Sequence, residues 1–580
     1  MSNKLSTTLI SIIAVAALVL LQIPPVAAVT SLLAIEPDGS SASPIFDPKV
    51  WEIIPLGGIP GNKAPEKLDT PLAELSQALS TGGITTMTAV AHTRGLKLEG
   101  DGVRIVVVSE GDSVEPLTPK LGEMGVQLES VYENLLQAIV PVAKLEAVSQ
   151  LPGVSYLRNP FSPVPAAVMS EGVASAGIQP WQSAGFRGRD VKVGVVDVGY
   201  NEYQDRLGVD LPSNVIAKSW RSDGDITGAG SGHGTAVAEI VYDMAPEAQL
   251  YLANFGTEVE FGSAVNWLIE QRVEIIVSAI GWPATGPGDG TGSIANIVKT
   301  AKDRGALWVQ AAGNFGSTHW AGRFRDTNGN GYHEFVLGDE GNTITLARSG
   351  RGELIYRIEI ILTWDDWDTY TNDYDLFLLK GDSVVAQSTA FQNGQFPPVE
   401  RIVHVTPSSG DYWIAIQRFR ASKSSKLELF VTTDYGMEYK TSESSLIIPA
   451  DSPDALTVGA VPVSGEQIQP YSSRGPTKDG RVKPDMVAYD SVSTATFGPG
   501  QFMGTSASAP HVAGAAALIK QALPWYTPAQ IQALLQSRAI QLPSAPPGKN
   551  NSSGAGRLDL GQPPPRSLLP LIVNGATLPP

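Results

Sequence analysis

Four polar residues stand at the ends of apolar runs, in an order that suits acyl transfer. Asp197 ends Val191-Lys192-Val193-Gly194-Val195-Val196-Asp197 and is followed by Val198-Gly199. His233 lies in Ser231-Gly232-His233-Gly234-Thr235, Asn314 ends Ala311-Ala312-Gly313-Asn314, and Ser506 lies in Gly504-Thr505-Ser506. Acyl transfer needs a nucleophile, a base for its proton, a carboxylate to orient the base, and donors for the oxyanion. Aspartate, then histidine, then serine is one of the chain orders in which such a triad occurs. Taken singly, each residue has a plain structural reading: a strand-end turn, a surface turn or lone metal ligand, a turn asparagine, and a helix N-cap. Four of them, each in a glycine-bearing segment at the end of an element, point to a site.

The elements that must position these residues are legible around them. Ser506 opens a run through Pro510 and His511 to Ile519 that is small or aliphatic on every side, as in a helix buried all round. Pro510 is expected in its first turn, where a missing N–H breaks nothing. The free amides of a helix start and its positive dipole end suit a developing anion. The run ending at Asp197 reads as a buried parallel strand, and strands follow at Gln249 to Asn254, Val273 to Ile280 and Ala306 to Ala312. Helical patterns lie between them at Thr235 to Asp243, Ser263 to Gln271 and Ile294 to Arg304. This alternation predicts an α/β fold, a doubly wound and mostly parallel sheet. Short alternating strands over 323–443 interrupt it and predict an inserted all-β sandwich or jelly roll. The α/β pattern resumes over 444–561, giving catalytic parts at 175–322 and 444–561.

Upstream, residues 66–165 read β-α-β-β-α-β, a ferredoxin-like α+β unit. Such a module ahead of an enzyme suggests a propeptide, an ordinary binding domain being the alternative. Residues 29–65 are rich in Pro, Gly and Ser and read as a linker, and 562–580 form a Pro-rich tail expected to be extended. Residues 1–28 resemble a signal peptide: Lys4, an apolar run from Thr8 to Leu21, then Pro24-Pro25-Val26-Ala27-Ala28. The run is short for a membrane span, so export without a stable membrane partner is expected. The chain has 580 residues, 42% of them hydrophobic, and a net charge of −17. That charge argues against a nucleic-acid partner. With no cysteine, neither disulfides nor thiolate chemistry is available.

The segments around Asp197, His233, Asn314 and Ser506 resemble the four signature blocks of the subtilisin-like serine peptidases. Tyr471-Ser472-Ser473-Arg474-Gly475-Pro476-Thr477, Lys483-Pro484-Asp485 and Gly554-Ala555-Gly556-Arg557-Leu558-Asp559 are similar to that family's sequence around its serine. The resemblance implies a secreted endopeptidase with a subtilisin-like fold, acting on protein or peptide substrates. It implies a zymogen whose propeptide is an intramolecular inhibitor, cut between about 160 and 178. It also implies Ser506 as nucleophile, His233 as base and acid, Asp197 as its orienting carboxylate and Asn314 as oxyanion donor. Ala279-Ile280-Gly281 resembles the strand that binds substrate backbone, although Ala279 replaces the usual serine, and Gly313 belongs to the same cleft. Other departures are Val198 after Asp197, and Ala507-Ser508-Ala509 after the nucleophile. Asn314 and Ser506 stand 192 positions apart, which the insert accounts for.

Asp326, Asn328 and Asn330 alternate oxygen-bearing side chains with Gly331 at the sixth position, like the start of a calcium loop. Leu337 stands where a twelfth-position Glu would be needed, so the loop is incomplete. Asp365-Asp366-Trp367-Asp368 with Asp373 and Asp375 is a second oxygen-rich cluster. Structural Ca²⁺ is the cofactor expectation, solvated acidic turns the alternative; no cofactor is expected for catalysis. Two rival functions remain at this stage: a surface binding protein that keeps the scaffold without turnover, and an exported esterase or amidase using the same triad. Against the second, Ser506 does not lie in a Gly-x-Ser-x-Gly elbow.

Overall fold

The computed structural model describes residues 67–161, 164–165, 172–346, 356–432, 436–463, 465–565, 572–573 and 576–577. The expected signal peptide (1–28) and linker (29–65) lie outside the described residues. Among the described residues no helix is long and apolar enough to cross a membrane.

The N-terminal domain opens with α1 (Thr70–Arg94), which the sequence pattern did not announce. Asp69 caps it by accepting from Leu72 N at 3.0 Å, and Gly95 closes it in the left-handed region. Gly83, at φ 70°, breaks the helix internally. There follow β1 (Gly102–Ser109), α2 (Thr118–Glu123), β2 (Gln127–Tyr132), β3 (Leu135–Pro141), α3 (Leu145–Ser149) and β4 (Val154–Arg158). The sheet order is β4-β1-β3-β2, all antiparallel, as expected of a β-α-β-β-α-β unit, with the two residues Leu98–Glu99 added as a short fifth strand on β1. Beyond it, β5 (Val164–Pro165) leaves the domain for the α/β region.

The α/β region comprises β6 (Lys192–Asp197), β7 (Ile216–Ser219), α4 (His233–Met244), β8 (Gln249–Asn254), α5 (Glu258–Glu270), β9 (Ile275–Ser278), β10 (Ile280–Gly281), α6 (Ser293–Asp303) and β11 (Leu307–Ala311). Seven parallel strands run in the order β21-β20-β11-β9-β6-β8-β7, where β20 is Ala455–Pro462 and β21 is Met486–Asp490. Alternate residues of β6 divide the core. Val193 and Val195 pack with α4 and the buried helix α7 (Thr505–Ala522) on one face; Val196 packs with α5 and α6 on the other. α7 starts at Thr505, so Pro510 is its sixth residue and lies in the second turn, not the first. The carbonyl of Ser506 therefore has no N–H at i+4. Gly514 lets α7 approach α4, because a Cβ there would sit 2.3 Å from Met244 Cβ.

Between β11 and β20 the chain forms two four-stranded antiparallel sheets. One runs β12 (His319–Arg323), β19 (Lys426–Thr432), β14 (Tyr356–Trp364), β17 (Val399–Thr406). The other runs β13 (Asn342–Leu346), β18 (Gly410–Arg420), β15 (Asp373–Lys380), β16 (Ser383–Ser388). Their inner faces share a core that includes Trp320, Ile358, Trp364, Tyr374, Leu376 and Ile414, a sandwich. Its first strand begins at His319, ahead of the expected boundary at 323. In the tail, Ile572–Val573 pairs with Ala576–Thr577 as a two-residue ladder.

Candidate active site

The expected residues converge at the carboxyl edge of the parallel sheet, where ligands bind in open α/β sheets. Asp197 is the last residue of β6 and fully buried. His233 is the first residue of α4, and its Nδ1 lies 2.7 and 2.8 Å from the two Asp197 carboxylate oxygens. That arrangement makes Nδ1 the protonated nitrogen and leaves Nε2 to accept. Nε2 is buried and has no hydrogen-bond partner among the described residues. The approach of α4 to β6 depends on Gly234: its N–H donates to Gly199 O at 2.9 Å, and a Cβ would stand 2.8 Å from Asp197 Cβ. Val198 N also donates to Asp197 Oδ1, at 2.8 Å. The side chain at 198 is therefore not what holds the carboxylate.

Ser506, the second residue of α7, is fully buried and donates its hydroxyl to Ala279 O at 2.6 Å. A proton on that carbonyl is not available to His233, so the serine must turn before it can be activated. Asn314 follows β11, and its Oδ1 accepts from Thr505 N at 3.0 Å and from Thr505 Oγ1 at 3.1 Å. With its oxygen engaged twice, the Asn314 amide nitrogen is left to donate elsewhere. Thr505 is thus a positioning residue that sequence reasoning passed over, although Gly-Thr-Ser was in view. Its hydroxyl also accepts from Gly313 N at 3.1 Å. Gly313 itself adopts φ 104°, which a residue with a side chain rarely does.

Ile280 and Gly281 form an edge strand paired antiparallel with β5, Ile280 opposite Pro165 and Gly281 opposite Val164. Ile447, in the segment that returns from the insert, packs against both Gly281 and Gly313. A Cβ on either glycine would lie within 2.9 Å of its side chain. Nothing in the sequence marked Ile447, which lies outside every motif and is separated from Gly281 and Gly313 by the insert.

The calcium expectation meets a different arrangement. Asp326 accepts from Gly329 N (2.8 Å), Gly331 N (3.1 Å) and the Arg418 guanidinium (2.9 Å). The Asn328 and Asn330 amide groups donate to Glu340, and their oxygens accept from Asn330 N and Tyr332 N. These side chains are engaged within turns of the loop itself, and Arg418 is ion-paired with Asp326. At the second cluster, Asp366 accepts from Thr371 N, Asn372 N and Thr369 Oγ1, closing the loop from Asp366 to Asn372. Among the described residues no group of three or more His, Asp or Glu side chains is arranged to hold a metal.

The sequence model of the subtilase family matches residues 188–345 and 405–556, more than half of the chain. The chain belongs to the subtilase family. Among curated relatives, this subtilase is 23% identical over 434 residues to the minor extracellular protease Vpr of Bacillus subtilis (strain 168), covering 64% of this chain and 51% of Vpr. It is 38% identical over 209 residues to subtilisin E of the same organism, covering 33% of this chain and 52% of subtilisin E. The subtilase thus spans about half the length of the curated relatives it matches. Among solved structures it is similar to the CspB protease of Clostridium perfringens, with 16% identity over 67% of this chain and 97% of that chain, and a TM-score of 0.49.

Proposed function

We propose that this subtilase is a serine endopeptidase that hydrolyses peptide bonds through an acyl-enzyme. The observation that carries the reading is the Asp197 carboxylate on His233 Nδ1, with Nε2 unpartnered, at the sheet edge where Ser506 Oγ meets Ala279 O. Ser506 Oγ leaves the Ala279 carbonyl, gives its proton to His233 Nε2 and bonds to the scissile carbonyl carbon. The negative charge that develops on the carbonyl oxygen is taken by Ser506 N–H and the Asn314 amide, donors that need no reorganisation. His233 passes the proton to the leaving amine as the C–N bond breaks, and a water molecule repeats the sequence on the ester. Asp197 stabilises the imidazolium throughout. Reaction of purified protein with a fluorophosphonate probe, lost in Ser506→Ala, tests the nucleophile. If Ser506→Ala still matures and cleaves casein, the assignment is wrong.

The same proposal makes the chain an exported zymogen, with residues 66–165 as intramolecular inhibitor. Its support is the pairing of Val164–Pro165 with Ile280–Gly281, whose antiparallel direction leads the chain past Ile280 toward Ala279, the residue that holds Ser506 Oγ. Cleavage is therefore expected just beyond Pro165, within 166–171. N-terminal sequencing of exported protein tests this, and a mature terminus outside that window removes the pairing as a guide. Calcium at the Asp326 loop is retained only as a proposal that Arg418 weighs against. An unchanged melting temperature in EDTA would dispose of it.

A further inference from the structure

The N-terminal domain is gripped from two sides. The first side is α5 of the α/β region. Val259 packs with Val106, Val108 and Leu135, and Gln137 Nε2 donates to Glu260 Oε1 at 3.0 Å. Tyr132 lies over Gly262, where a Cβ would meet its ring at 2.4 Å, and Arg158 is ion-paired with Glu258. The second side is the insert, whose contacting residue Thr389 lies 319 positions from Thr70. Strand β17 lies beside α1, and Thr389 N donates to Thr70 Oγ1 at 3.3 Å. The rings of Tyr156 and Phe396 stand 5.0 Å apart, with Phe396 buried.

Phe161 joins the two sides. The Arg158 guanidinium lies 3.9 Å from its ring centre and that of Arg401, from β17, lies 5.9 Å away. Its amide donates to Glu258 Oε2 at 3.1 Å, and its carbonyl accepts from Trp282 Nε1 at 3.4 Å. Asp69, Tyr156, Arg158, Phe396, Glu400 and Arg401 line one cavity between the domain and the insert. A domain held only by α5 could leave by tilting off one helix. Held by α5 and β17 together, it must break both contacts, and the bridging Phe161 lies four residues before Pro165.

We infer that the inserted sandwich is a second docking face for this chain's own N-terminal domain, one that keeps the domain bound after the chain between them is cut. The inference rests on the reading of residues 66–165 as an inhibitor, and the experiment separates the two. The full chain carrying Ser506→Ala is given a recognition sequence for an added site-specific protease in place of 166–171. After nicking, release of the N-terminal fragment is followed by size-exclusion chromatography over time. Phe396→Ala and Tyr156→Ala should each speed release at least about tenfold. Because both remove one contact, the double variant should release no faster than about either single variant, the coupling expected of directly touching groups. Rates unchanged in Phe396→Ala, or effects of the two substitutions that multiply, overturn the inference. A thermal melt of each intact variant guards against general unfolding, and Arg401→Gln on the same face gives an independent check with less loss of packing. The same nick in the Ser506-containing chain reads the inhibitor function separately: a fragment that stays bound while peptidase activity is full leaves the docking face standing and removes the inhibitor reading.

Discussion

In the α/β region His233 is buried with Nδ1 on the Asp197 carboxylate and Nε2 unpartnered; in the insert His319 and His333 are buried with Nε2 unpartnered as well. The difference is the group on the other nitrogen. His319 Nδ1 donates to the backbone carbonyl of Thr441 at 2.9 Å, and His333 Nδ1 accepts from Arg325 N at 3.0 Å. Burial drives the pKa of His319 down to about 3 and that of His333 down to about 4. Those two rings are fixed as neutral packing groups, His319 tilted against Phe430, and His333 tilted against Trp320 and edge to face with Phe335. An orphaned imidazole nitrogen is therefore not a mark of chemistry; what sets His233 apart is the carboxylate on its other nitrogen.

The sharpest way to break this contrast is Ser506→Ala, which should lower kcat on the order of 10⁵-fold or more and leave full-length precursor on a gel. Any smaller loss would mean that His233 serves another nucleophile. Asn314→Ala should cost about 10²- to 10³-fold in kcat with KM nearly unchanged, read from steady-state kinetics on a peptide substrate. A rise in KM alone would make Asn314 a binding residue.

The insert histidines should act on stability instead. Their folded pKa values lie below the ordinary 6.5, so between pH 6.5 and about 4 the unfolded chain takes up protons that the folded chain does not. Stability is then fully present above 6.5 and falls with pH, by roughly 3 kcal/mol at pH 4 for His319. Thermal melts of Ser506→Ala between pH 7 and 4 measure it, and His319→Gln should flatten the slope. Equal pH dependence in the two proteins would return His319 to an unspecific role. The smallest expected effect is at Ile447, which fills the space between Gly281 and Gly313 beside the cleft. Ile447→Ala should raise kcat/KM for peptides with a large residue before the cut, relative to alanine, by about 10- to 100-fold; an unchanged ratio on a peptide panel would place the specificity elsewhere.

How much of this was legible follows the same division. Asp197, His233, Asn314 and Ser506 could be read because each sits where a strand ends or a helix begins, and a parallel sheet gathers those positions at one edge. The insert strands could be read because each has one inward face, as in the alternating burial of Val399–Thr406. α1 was hidden by Ser80-Thr81-Gly82-Gly83, which reads as a turn and is a break within the helix. The Asp326 loop is ambiguous in sequence because Asx turns and calcium loops space side-chain oxygens alike, and the approach of Arg418, 92 residues on, has no local signal. Ile447 and the Phe396 contact are products of tertiary proximity, and no local pattern encodes them.

One backbone hydrogen bond in the insert has a consequence for assembly of the sheet. Thr441 N donates to His319 O at 2.7 Å, so the two ends of the insert meet. Strands β11 and β20 are adjacent in the sheet, yet about 140 residues of chain separate them. If the insert were unfolded, joining them would close a loop of that length. With the insert already folded, the flexible chain to be closed shrinks to roughly twenty residues, a saving of about 2 kcal/mol in chain entropy. Entropy of that size matters more to rate than to stability, since non-local pairings are what slow a folding chain. An insert that folds first would hand the α/β region two short stalks, one carrying Asn314 and the other Ile447, already held side by side.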